Sequence, residues 1–186
     1  MSLFWSNSST DIVVGNYFGR QWAYDIASKA YMYDDKSWAV YLYVMAGGRV
    51  GLAQHRWACG AVESVVLVYA VNDRASFDSI NQIYIPILQM LTPQRPLFLV
   101  GMKRDTREMA ESGGIDPGPP GSFVSTEEGM LLASQINAVT FTELTTDDLK
   151  ELDDFWTRTI DETFKGPNYK KIRAHIRSAT NSCILL

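Results

Sequence analysis

The chain has 186 residues, 46% of them hydrophobic and 20% charged, as expected of a globular protein with one sizeable core. Its two cysteines, Cys59 and Cys183, are too few for a disulfide scaffold and suit a reducing compartment. The net charge of −4 hides an asymmetry: Lys165, Lys170, Lys171, Arg173 and Arg177 close the chain with no acid among them. The rest therefore carries −9, which argues against general nucleic-acid binding.

No twenty-residue apolar run exists, so nothing reads as a membrane span. MSLFWSNSST lacks the basic start and sustained apolar stretch of a secretory signal. Residues 1–10 are Ser/Asn-rich and read as a disordered N-terminus, and Asp11–Phe18 (DIVVGNYF) is the hardest stretch to place. Ala23–Tyr33 and Ser37–Met45 read as a hairpin turning at Asp34-Asp35-Lys36. Its second arm alternates Trp38, Val40, Leu42 and Val44 against Ala39, Tyr41 and Tyr43. Ala46-Gly47-Gly48 ends the hairpin, and Arg49–Gly60 reads as mobile or loosely helical.

Ser64–Val71 is almost wholly apolar and β-branched, the pattern of a parallel strand covered on both faces. Asn72–Arg74 breaks it. Phe77, Ile80, Ile83/Tyr84, Ile87 and Leu91 then recur at helical spacing until Pro93 and Pro96, and Leu97–Gly101 is the next strand. Strand, helix and strand make one βαβ unit of an open parallel sheet. Gly113–Gly121 (GGIDPGPPG) is too rich in Gly and Pro to be helical. Ser125-Thr-Glu-Glu128 is a capping box that opens a helix through Leu131, Leu132 and Ile136. Val139–Glu143 is the last strand. Asp147/Asp148 starts a final helix with Leu149, Leu152, Trp156, Ile160 and Phe164 on one face, closed by Gly166-Pro167.

Ligands of such sheets bind at the strand ends, where Lys103 and Asp105 stand in VGMKRD. That run resembles the VGNKxD motif of small GTPases, in which the Asp accepts hydrogen bonds from guanine and the Lys stem lies along the base. The resemblance is closest to the Rho branch of the Ras superfamily. Pro86 and Pro96 fall in that family's register, Thr106–Gly129 has the length of the Rho-type insert, and VSTEEG is similar to VKPEEG. The insert's short helix is expected to be lost or reduced to a loop. VTFTELTT (Val139–Thr146) resembles the final strand and its Ser-Ala loop, with Thr145 and Thr146 in place of Ser-Ala. DDKSWAVYLYVMAGG resembles DGxxVxLxLWDTAGQ. The likeness covers about Asp34 to Lys165. It implies an α/β, Ras-like (P-loop NTPase-like) three-layer fold: an open, mostly parallel sheet with helices on both faces and a degenerate N-terminal part. The expected division is 1–10 disordered, 11–166 G domain and 167–186 tail.

Two placements of Asp11–Phe18 stay open. VVGNYF resembles the Rho run VFENYV, which would make the segment a switch I relic and leave the central first strand missing. Alternatively, Ile12–Val14 is that strand, and Gly15, Gly19 and Arg20 are what remains of a phosphate loop. The second placement spares two buried strands an open slot with unpaired backbone groups.

The family's chemistry needs guanine nucleotide and Mg2+, gripped by a Gly-rich loop with its Lys and Ser/Thr. No GxxxxGK[ST] occurs, and Arg20 is a poor substitute for a point ammonium. In the position resembling switch II, Val44 replaces the metal-holding Asp and Gly48 the water-orienting Gln. Ala46 and Gly47 match. At the base end Met102 replaces Asn, while Lys103 and Asp105 persist. No catalytic residue and no metal ligand is assigned: His55 and His175 are isolated, and Cys59 reads as packed.

Cys183-Ile-Leu-Leu186 is a C-a-a-X box of the geranylgeranyl type. One lipid anchors marginally, and Lys170, Lys171, Arg173 and Arg177 supply the second signal at about 1 kcal/mol per charge near an anionic leaflet. The expected protein is a monomeric pseudo-GTPase on the cytoplasmic face of the plasma membrane or an endomembrane. It would act through effector or regulator proteins. The alternatives are a divergent but working GTPase, or an incomplete reading of a normal Rho gene.

Overall fold

The computed structural model describes residues 24–45, 62–90, 95–116, 118–119 and 121–166. The hairpin comes first. β1 (Tyr24–Tyr33) pairs antiparallel with β2 (Lys36–Met45), Tyr33 opposite Lys36. Asp34 and Asp35 form the two-residue turn at φ 54° and 57°, positive at both positions as a type I′ turn requires. Lys36, expected in the turn, is the first residue of β2.

The second sheet is parallel, in the order β3-β4-β5 (Val65–Ala70, Leu97–Met102, Thr140–Leu144). Between β3 and β4 the chain runs through α1 (Arg74–Ser79), a π-helical turn (Ile80–Tyr84) and α2 (Ile85–Gln89). Pro86 explains the widening. It has no N–H for the carbonyl of Gln82 four residues back, and its ring would collide with that carbonyl. The Ile85 N–H reaches Ile80 instead, a five-residue step.

α3 (Arg104–Glu111) follows β4 directly, where the sequence showed no helical pattern. Gly113–Gly121 is non-helical wherever it is described, as expected. α4 (Thr126–Gln135) opens on Ser125 with both halves of the capping box formed: Ser125 Oγ accepts from Glu128 N, and Glu128 Oε2 from Ser125 N. α5 (Leu149–Lys165) is capped by the Asp148 carboxylate, which accepts from Glu151 N at 2.9 Å.

Helices cover the parallel sheet on both sides. Leu67, Tyr69 and Leu99 pack with Ile80, Ile85, Leu88 and Leu132 in one core. Val100, Met102 and Leu144 pack with Leu152, Phe155 and Trp156 of α5 in the other, which also takes in Leu42 of the hairpin. Val40, Ile160 and Phe164 extend it, with Tyr33 stacked on Phe164 at 4.5 Å. The Tyr31 hydroxyl donates to Asp161 Oδ1 at 3.0 Å, so α5 holds the hairpin by both packing and hydrogen bonding.

Two burial expectations need correcting. Val68 of β3 is 47% exposed rather than covered, because α5 lies under β4, β5 and the hairpin and leaves this part of β3 open. Leu149 is 53% exposed at the first turn of α5, and Phe155 takes the core place assigned to it. Among the described residues no strand joins β2 to β3. The stretch 11–18, on which both placements turned, lies outside the described residues, as do Arg49–Gly60, Cys59, His55 and His175.

At the opposite edge of the sheet, Glu63 Oε2 is buried without a hydrogen bond, and burial raises its carboxyl above the ordinary range, offset in part by Arg95. A raised acid destabilises the native state once it ionises, so Glu63→Gln should raise the melting temperature at neutral pH. The gain should shrink as pH falls below the raised value and Glu63 takes up its proton. A gain that stays constant from pH 7 to pH 4 would show that the charge is not the cause.

Candidate functional site at the tip of the parallel sheet

Parallel register fixes which groups meet at the C-terminal edge. Met102 is opposite both Ala70 and Leu144, so Lys103 and Thr145 leave the sheet side by side. Lys103 is exposed and left-handed, at φ 64°, which turns the chain sharply from β4 into α3. Asp105 follows in the first helical turn, half-buried, with no hydrogen-bond or ion-pair partner among the described residues. Thr145 and Thr146 are half-buried on the neighbouring loop, where the Thr145 hydroxyl accepts from Asp147 N at 3.4 Å. Sequence reasoning assigned these four residues together, and the sheet brings them together.

Three arginine forks that sequence reasoning missed brace this tip. Arg104, between Lys103 and Asp105, donates to the Glu143 carbonyl at 3.0 Å and grips both Glu151 oxygens at 2.8 and 3.1 Å. Its Nε lies 3.1 Å from Glu108, near enough to pair charge but not aligned as a hydrogen bond. The loop after β4 is thereby tied to the loop after β5. In the motif that VGMKRD resembles, the Asn performs the loop-tying task. Here its place is taken by Met102, which is 8% exposed and sunk in the apolar core with Leu42, Val100 and Leu144.

Arg107 is the deepest of the three at 12% side-chain exposure, against 7% for its partner Glu143. It donates to both Glu143 oxygens, to the Val124 carbonyl at 2.9 Å and to the Thr126 hydroxyl at 2.8 Å. The Thr126 hydroxyl in turn donates a hydrogen bond to Glu143 Oε2 at 2.9 Å. The Glu143 hydrogen bond outweighs desolvation and raises the Arg107 guanidinium further, so it stays charged. Arg74 bridges Glu128 at 2.6 and 3.1 Å and the Phe123 carbonyl at 2.9 Å, holding α1 to α4. That bond, and then the Ser125 N–H, lower the Glu128 carboxyl below its ordinary range.

The residues present fit one half of a guanine-nucleotide site. An unpartnered carboxylate beside an exposed lysine at a braced sheet tip suits the base. In the position that resembles the metal-holding Asp, β2 carries Val44, opposite Asp25, and a valine side chain offers magnesium no donor atom. Gly15, Gly19, Arg20, Ala46, Gly47 and Gly48 lie outside the described residues, as do Cys183, Lys170, Lys171, Arg173 and Arg177. No group of three or more His, Cys, Asp or Glu among the described residues could hold a metal ion. No described helix is long and apolar enough to cross a membrane.

An α/β sheet with helices on both faces and this loop pair at its tip is the architecture of the small GTPases. The family model described as "Ras family" matches residues 20–165, well over half the sequence. The chain belongs to the Ras family. It is similar to Rho-related BTB domain-containing protein 3 of Homo sapiens, 32% identical over 98 residues, and to that of Mus musculus, 31% identical over the same length. This places it near the Rho branch. Each match covers 52% of this chain and 15% of the relative.

Proposed function

We propose that the chain is a signalling protein of the small-GTPase class whose surface, rather than turnover of GTP, carries its function. Val44 in the position of the metal-holding Asp supports this most directly, since without that ligand magnesium and the terminal phosphates lose their joint grip. Denaturing the purified protein and chromatographing the supernatant should release no stoichiometric GDP or GTP. Recovery of about one guanine nucleotide per chain would overturn the reading. It would favour a divergent, working GTPase, the alternative suggested by Lys103 and Asp105 on their braced loop.

The tail sequence supports a membrane location. Geranylgeranylation of Cys183 together with Lys170, Lys171, Arg173 and Arg177 is the paired signal that stable, reversible anchoring needs. The cytoplasmic leaflet is the target because its anionic lipids attract the basic run, and effector or regulator proteins are met there. In fractionated cells, Cys183→Ser should move a membrane-bound population into the soluble pool. A variant that stays with the membranes would exclude prenylation as the anchor.

A further inference from the structure

On the face of the sheet opposite α5, α1 and the π-helical turn run beside α4 and leave an open groove of about 230 Å³. Phe77, Leu131 and Leu132 make its apolar floor, and Asn81, Gln82 and Gln135 its amide walls. The floor is unusually open for apolar surface: Leu131 is 60% exposed and the adjoining Met130 59%. Asn81 and Gln82 lie on the π-helical turn and line the groove, and Pro86 deprives the Gln82 carbonyl of its regular helical donor. Acid marks one wall. Glu128 is engaged by Arg74, whereas Asp78 has no hydrogen-bond or ion-pair partner among the described residues.

We propose that this groove receives the chain's own tail, Tyr169–Arg177, in a docked state that competes with the membrane. Its sequence is YKKIRAHIR, in which Tyr169, Ile172 and Ile176 recur three and four residues apart, with Lys170, Lys171 and Arg173 between them and Arg177 after them. That is one apolar stripe flanked by cations, complementary to an apolar floor walled by amides and a carboxylate in a body of charge −9. The path is short. Gly166 leaves α5 beside Pro96, where an added Cβ would sit 3.8 Å from the Pro96 ring. Leu97 follows, its carbonyl accepting from Val139 N, and Val139 lies just past the end of α4, whose last residue, Gln135, lines the groove. The three residues from Gly166 to Tyr169, where the stripe begins, reach about 10 Å when extended, and 20 residues of chain lie beyond Gly166. The docked tail withholds from an anionic leaflet the same cations that would bind it.

The docking itself does not depend on the membrane reading; only the second arm of its test does. In the first arm, the unprenylated 186-residue chain is treated with a zero-length carbodiimide, and the products are mapped by mass spectrometry. Lys170 or Lys171 should join Asp78 within one chain, and Leu131→Glu, an exposed position, should abolish the product. Lysines joined only to other carboxylates, a product formed only between two chains, or one that survives Leu131→Glu would overturn the proposal. In the second arm, Leu131→Glu should bind vesicles of 30 mol % phosphatidylserine in phosphatidylcholine about fivefold more tightly, because the free tail becomes the major state. Equal, measurable binding of the two chains would overturn the competition. If neither binds while the cross-link forms, the docking stands and the basic run is not a membrane signal.

Discussion

Glu143→Ala should lower folding stability by roughly 3–5 kcal/mol, the range seen when one partner of a buried pair is removed. For a chain of this length that is about a 10 °C fall in melting temperature. The reason is what the substitution leaves behind. Arg107, 12% exposed, would keep its charge with only the Val124 carbonyl and Thr126 hydroxyl to meet it, and Thr126 would lose its acceptor. Glu143→Gln, which keeps the shape and one acceptor oxygen, should fall between. Replacing both partners by apolar residues of similar volume, Arg107→Met with Glu143→Leu, should recover most of the loss, since no buried charge is then left alone. Additivity of the two single substitutions in a double-mutant cycle would mean that they do not act as a pair.

The consequence reaches the tip. Arg107 and Arg104 are one helical turn apart on α3, and both contact Glu143, one through its carboxylate and the other through its carbonyl. β5 and α3 are therefore fastened together below and beside the Lys103–Asp105 loop by the protein's own groups.

These braces were invisible in the sequence for a definite reason. Arg104, Arg107 and Arg74 find their partners 47, 36 and 54 residues away, and only the topology decides which acid each meets. α3 escaped for a related one. RDTREMAE buries only Ala110, so there is no apolar stripe for a period to reveal. Its support is electrostatic, in the i,i+4 pairs Arg104–Glu108 and Arg107–Glu111. By contrast, β3, β4, the hairpin and the Ser125 capping box were legible because each is set locally, by an apolar run, an alternation or a cap. The π-helical turn falls between the two: Pro86 was visible, but its effect depends on how the surrounding helix accommodates it. At the site, Lys103 and Asp105 were legible through a motif. The reassignment of loop-tying from the Asn position to Arg104 was not, because it rests on Met102 turning into the core.

Gly129→Ala should destabilise the protein, against the ordinary expectation for a helix. In an exposed helix interior, Gly to Ala stabilises by about 1 kcal/mol, because alanine has less backbone freedom to lose. Gly129 is buried in α4, and a Cβ there would stand 2.3 Å from Phe141 Cζ and 2.6 Å from Tyr69 Oη. Tyr69 has no room to retreat. Tyr69 is 1% exposed, its ring packs edge-on against Phe77 at 4.9 Å, and its hydroxyl is already without a hydrogen bond. That hydroxyl also lies where a Cβ on Gly101 would come, 2.9 Å away, so β3, β4 and α4 meet on one phenol. Overpacking of this kind typically costs about 1–3 kcal/mol, so the sign should reverse, with Gly129→Val worse than Gly129→Ala. Chemical denaturation reads it directly. Combining Gly129→Ala with Phe141→Leu, which removes the atom in closest conflict, should restore part of the loss. A stabilised Gly129→Ala would mean that α4 stands further from β5 than the packing described here.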